Sequence, residues 1–121
     1  MNTPVSFSLA KLVRLKGFNE PCSSFYRDGE LSHVNSLVTD KKLVTNSQFL
    51  TSRYFTAPSI SDVVMWLYKE HGIWISVDPD NDTDTWFYTI SHNKSEIVFG
   101  NYNGPIEAYE KGIEHVLNSM I

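Results

Sequence analysis

Apolar residues recur along the chain in three helical stripes and three alternating runs. Between Thr3 and Gly17, Val5, Leu9, Leu12 and Val13 fall at helical spacing. Thr3 ahead of Pro4 offers a cap and a first helical residue with its φ preset, so a helix is expected to start there. Gly17 stands where a left-handed residue closes a helix, and Phe18 is placed to fold back on the last turn. The second stripe is Ile60, Val63, Val64, Leu67 and His71. Pro58 disfavours helix at Ala57, Ser59 and Asp62 form a start signal, and Gly72 ends the helix. The third helix is expected from Pro105, after the turn-prone Asn103 and Gly104, with Ile106, Tyr109, Ile113, Val116, Leu117 and Met120 on one side. Glu107 and Glu110 lie near its positive end, an adequate structural role for both.

Between the second and third helices, residues 73–77 (IWISV), 86–90 (WFYTI) and 96–102 (EIVFGNY) are rich in β-branched and aromatic side chains. Their short connections favour an antiparallel meander, with His92 to Ser95 as one turn. Asp28-Gly29, between Ser-Phe-Tyr and Glu-Leu, signals a further hairpin. Residues 32–53 are polar, with apolar positions spaced irregularly, and read as a mobile or inserted excursion. The expected architecture is one α+β domain over residues 1–121. It has an antiparallel sheet of three to five strands packed by three helices, in the order α, ββ, α, βββ, α.

Composition narrows the classes. A chain of 121 residues with 41% hydrophobic and 13% aromatic residues is the size and make-up of a globular domain. No apolar run approaches the roughly 18 residues of a membrane helix. The opening MNTPVSFSLAKLV lacks the basic start, apolar stretch and small-residue cleavage site of a secretory signal. A single cysteine, Cys22, forms no internal disulfide, so a cytoplasmic setting is the simplest expectation. The net charge of −4, with Lys11, Arg14 and Lys16 as the only basic cluster, argues against a phosphate-gripping surface. That cluster closes the first helix, where positive charge suits the dipole.

The run VDPDNDTDTW places four aspartates at alternate positions, Asp78, Asp80, Asp82 and Asp84. A calcium loop needs Gly at its sixth position and Glu at its twelfth. Counted from Asp78 these are Thr83 and Thr89; counted from Asp80 they are Thr85 and Ser91. Both registers fail, and strands rather than helices flank the run. It reads as a hairpin tip, with Pro79 expected to stop the strand and Asp and Asn suited to the turn. No motif ties Cys22 to any of His33, His71, His92 or His115, and no histidine pair has helical metal-site spacing. No catalytic residue, cofactor site or metal site is assigned.

Aromatic placement is the better lead. Ile73, Ile75 and Val77 share one side of their strand, leaving Trp74 and Ser76 on the other. Trp86, Tyr88 and Ile90 share a side, leaving Phe87 and Thr89 opposite. Large aromatics on both sides mean either packing over both, with loop residues or a second subunit over part of the second, or a surface for a partner. Trp74, Ser76, Phe87 and Thr89 are the candidate partner-binding surface.

The stretches APSISDVVMWLYKEHGIWISV, TPVSFSLAKLVRLKGFNEPC and PIEAYEKGIEHVLNSMI resemble small proteins encoded by phages, prophages and mobile elements of gut bacteria. The resemblance covers both ends and the middle, and residues 32–53 look longer than the corresponding region. It implies a compact α+β domain in the cytoplasm of a bacterial host and carries no established activity or catalytic residues. The leading expectation is a non-enzymatic accessory protein that binds another protein or itself. A nucleic-acid-binding accessory protein stacking bases on Trp74 and Phe87 comes second, and an enzyme third.

Overall fold

The computed structural model describes residues 2–34 and 43–121. Among them lie α1 (Phe7–Leu15), β1 (Ser24–Arg27), β2 (Glu30–His33), β3 (Tyr54–Thr56), α2 (Ile60–His71), β4 (Trp74–Asp80), β5 (Thr85–His92), β6 (Ser95–Tyr102) and α3 (Pro105–Ser119). The mixed class and the order α, ββ, α, βββ, α are those expected, with the short β3 added before α2. The strands form two antiparallel sheets, ordered β2-β1-β3 and β4-β5-β6. The chain divides into two compact units, Met1–Ile60 and Ser61–Ile121.

In the first unit, the opening segment departs from the helix expected at Thr3. Pro4 instead pairs with Ser59 in an antiparallel bridge. Val5 N–H donates to the Pro58 carbonyl at 2.9 Å, and Ile60 N–H donates to the Thr3 carbonyl at 2.9 Å. Backbone pairing thus overrides the local preference of Thr-Pro for a helix start. The helix begins after Ser6, whose side chain accepts from Leu9 N–H. It ends as expected: Gly17 has φ +97°, its N–H donates to the Arg14 carbonyl, and Phe18 N–H donates to the Val13 carbonyl. Between the two bonded strands β1 and β2, Asp28 (φ 51°) and Gly29 (φ 87°) form the expected tight turn. Phe7 packs edge-on to Tyr26 at 5.5 Å and against Phe55 at 5.2 Å, which fixes α1 on the sheet.

Residues 35–42 of the expected excursion lie outside the described residues. Val34, Val44, Asn46 and Phe49 of the rest of residues 32–53 are tied to the unit, while Leu50 is exposed. Val34 and Val44 are buried with Phe25, and Phe49 packs against them. Cys22 and Val44 exchange backbone hydrogen bonds of 2.7 and 2.9 Å. Asn46 is buried and joins two distant segments: its amide donates to the Phe18 carbonyl at 2.8 Å, and its oxygen accepts from Thr56 N–H at 2.8 Å.

In the second unit, α2 ends at Gly72 (φ 66°), and Ile73 N–H reaches back to the Leu67 carbonyl. Val63, Val64, Trp66 and Leu67 are buried. β5 and β6 meet at a two-residue turn whose residues Asn93 and Lys94 have φ 50° and 65°. Pro79 does not stop β4, which continues to Asp80 and pairs Pro79 with Trp86. β4 is the edge of its sheet, where a residue without an N–H is tolerated. α3 starts at Pro105, and Glu107 accepts from Asn103 N–H at 3.2 Å. Its buried side is Ala108, Gly112, Ile113, Val116 and Leu117, while Ile106 is 41% exposed. The helix sits on the sheet at Gly112, where a Cβ would lie 3.1 Å from Ile75 Cγ2 and 3.2 Å from the Tyr88 ring.

Two substitutions test these seats. Asn46→Ala removes two hydrogen bonds of a buried side chain, one to the Phe18 carbonyl and one from Thr56 N–H, and is expected to cost about 2–4 kcal/mol in denaturant unfolding. A cost below about half a kilocalorie would mean that water replaces both bonds. Gly112→Val forces branched carbons into Ile75 and Tyr88 and is expected to cost about 1–3 kcal/mol. An unchanged denaturation midpoint would show that the helix shifts freely on its sheet.

Candidate functional site

The second sheet has two unlike sides, and the seat of α3 tells them apart. Ile75 and Tyr88 lie beneath Gly112, so alternation puts Val77, Ile90 and their partners on the same side. The opposite side carries Trp74, Ser76 and Asp78 of β4, then Phe87, Thr89 and Ser91 of β5. Register brings these together: Ser76 pairs with Thr89, Asp78 with Phe87 and Trp74 with Ser91. The four residues expected as a partner surface therefore occupy one side of two adjacent strands. β6 extends that side with Glu96, which pairs with Ser91, and Val98, which pairs with Thr89. Gly100 completes it, with its would-be Cβ 3.4 Å from Phe87 Cβ.

This side is open to solvent at Trp74 and Val98. Trp74 is 40% exposed and Val98 is 59% exposed. The Trp74 ring is held by an edge contact with Tyr68 at 5.6 Å, so it is oriented rather than free. Phe87, Ser76, Thr89 and Ser91 are half-buried. The strand residues on this side include Asp78, Asp80 and Glu96 and no lysine or arginine.

On the α3 side, a polar groove that the sequence reading did not anticipate runs along the helix margin. It has a volume of about 290 Å³ and is lined by Tyr88, Tyr102, Lys111, Glu114, His115 and neighbouring residues of the last turn. The Tyr88 hydroxyl lies 3.3 Å from His115 Nδ1. Its ring stacks on Phe99 at 5.4 Å and on Tyr102 at 5.7 Å, and Phe99 also meets His115 at 5.0 Å. Loss of water around the Tyr88 hydroxyl, helped by the neighbouring Tyr102, pushes its pKa up to about 12. It thus keeps its proton beyond pH 10.0, where an ordinary tyrosine ionises. The legible signal was the polar run Lys111, His115 and Asn118, at helical spacing beside the apolar stripe.

The aspartate run turns the chain between β4 and β5. Asp80 Oδ1 accepts from Asp82 N–H at 3.1 Å, Asp84 has φ 56°, and the Thr83 and Thr85 hydroxyls meet at 2.6 Å. Among the described residues, no group of three or more His, Cys, Asp or Glu side chains is placed to hold a metal ion. Cys22 is buried. His33 Nδ1 lies 2.8 Å from Ser24 Oγ, His92 Nδ1 lies 3.4 Å from the Gly72 carbonyl, and His71 packs edge-on to Trp66. No described helix is long and apolar enough to cross a membrane.

The chain matches no family model, no curated protein and no solved structure.

The shifted tyrosine sets a pH signature. Below pH 10.0, the ordinary tyrosine value, folded and unfolded chains both keep the Tyr88 proton. Above it, the unfolded chain releases the proton while the folded chain keeps it to about 12. The folded state then binds more protons, so this group makes stability fall as pH rises through that window. A phenolate absorbance titration of the folded protein should show one late step that Tyr88→Phe removes. A late step that survives the substitution would place the shifted hydroxyl elsewhere.

Proposed function

We propose that this chain is a non-enzymatic accessory protein that binds another protein through the open side of the β4-β5-β6 sheet. The phage and mobile-element resemblance and a cytoplasmic place in a bacterial host belong to the same proposal. The carrying observation is that Trp74, oriented by Tyr68, and Val98 stand exposed on the side that α3 leaves uncovered. An anchored tryptophan ringed by half-buried polar residues is the composition of an interface centre. Asp78 and Glu96 suit a partner with neutral or basic polar groups around an apolar contact. Nucleic acid is the weaker partner. Bases stacked on Trp74 would share the side with Asp78 and Glu96, and its described strand residues offer no lysine or arginine for their phosphates.

Site-specific photo-crosslinking in bacterial cells tests the proposal. A photoreactive residue at Thr89, in the middle of the surface, should give a discrete protein adduct, and one at Glu107 on α3 should not. Trp74→Ala should reduce the Thr89 adduct at least about fivefold without moving the melting temperature by more than a few degrees. An adduct with nucleic acid, or one indifferent to Trp74, would overturn the reading.

A further inference from the structure

The two edges of the second sheet are built differently. β4 carries Asp78, Pro79 and Asp80 along its edge, features that discourage another strand from adding there. β6 has no proline and one charged residue, Glu96. Every β6 residue before Tyr102 is exposed, including the consecutive Ile97, Val98 and Phe99 at 41, 59 and 40%. Among the described residues, β6 pairs with β5 alone.

The phase of the ladder shows which backbone groups this edge presents. The two-residue turn at Asn93 and Lys94 makes His92 and Ser95 a hydrogen-bonded pair. Alternation then turns Ile97 and Phe99 toward β5 and leaves the N–H and C=O of Glu96, Val98 and Gly100 pointing outward. Asn101, with φ 72°, and the register shift opposite Trp86 and Tyr88 end the regular edge there.

We propose that β6 pairs with β6 of a second copy, antiparallel about a two-fold axis at Val98, joining two three-stranded sheets into one of six. This goes beyond the binding of another protein at Trp74 and does not require it. The register follows from the edge itself. With Val98 opposite Val98, Glu96 falls opposite Gly100, and all three outward residues are used, giving about six backbone hydrogen bonds. Ile97 and Phe99 then face each other twice as close apolar pairs on the α3 side. Each Glu96 meets a residue with neither charge nor side chain, and the two carboxylates lie at opposite ends of the interface. Centring on Glu96 would set carboxylate against carboxylate, and centring on Gly100 would run into the left-handed Asn101. Centring on Ile97 or Phe99 leaves one outward residue unused. The guarded β4 edge prevents head-to-tail growth, so the pairing closes as a dimer.

Sedimentation equilibrium of the full chain tests this. The parent should be dimeric at about 100 µM, and Val98→Pro should weaken association at least about tenfold. Proline at that position removes an outward N–H and no β5–β6 hydrogen bond. Val98→Lys, which keeps the N–H and adds charge at the axis, should do the same if the proline variant fails to fold. With Cys22 replaced by Ala, Val98→Cys should form an intermolecular disulfide in a glutathione buffer and Glu96→Cys should not. Trp74→Ala should leave the dimer intact, which separates this result from any failure at the Trp74 surface. A parent that stays monomeric at that concentration, a dimer indifferent to Val98, or an open-ended polymer would overturn the proposal.

Discussion

The close seat of α3 at Gly112 decides what the second unit presents to its surroundings. A helix that approaches a sheet within about 3 Å of a missing Cβ cannot also reach the sheet's other side. Ile75, Tyr88 and Ile90 are thereby buried, and Trp74, Phe87, Thr89 and Val98 are left as the alternate set. The small residues Ala108 and Gly112 make the approach possible. They are one turn apart on α3 and lie inside the stripe that larger residues had marked from the sequence. The same closeness creates the margin groove. Tyr88 runs under the helix, and its hydroxyl emerges beside His115 with little water left around it.

Legibility in the sequence followed locality. Gly17 and Gly72 close helices, and Asp28-Gly29 turns a hairpin, because each needs only its own backbone geometry and a few neighbours. Thr3 and Pro4 failed as a helix start because their partner is Ser59, far along the chain, and no local pattern encodes that pairing. Pro79 misled for a related reason. Whether proline stops a strand depends on which edge of the sheet the strand occupies, and edge position is a property of topology. The division of the strands between two sheets is likewise non-local, since β3 joins β1 across the intervening segment.

The candidate surface was readable as a set, because period-two alternation puts Trp74 with Ser76 and Phe87 with Thr89 whatever covers them. Register added Val98 and Gly100 to that set and made Ser76 and Thr89 direct neighbours. The groove was not readable as a set. It needs Tyr88 and Tyr102 from two strands and His115 from a helix, and only the packed structure brings the Tyr88 ring to 5.7 Å from Tyr102 and 6.2 Å from His115.

Asn46 shows the same division at the level of one side chain. Its neighbours are polar and aperiodic, so nothing in the sequence distinguishes it from a surface loop residue. Yet its amide donates to the Phe18 carbonyl and its oxygen accepts from Thr56 N–H, so one side chain serves backbone groups of two separate segments. An irregular segment stays inside a unit only if its backbone groups are paired somewhere. Side-chain amides do that work because one group both donates and accepts. The second unit meets the requirement almost wholly through its ladders. Among the described residues its unpaired rows are the outer edges of β4 and β6, and since β4 carries Asp78, Pro79 and Asp80, the outer edge of β6 is where further pairing is most available.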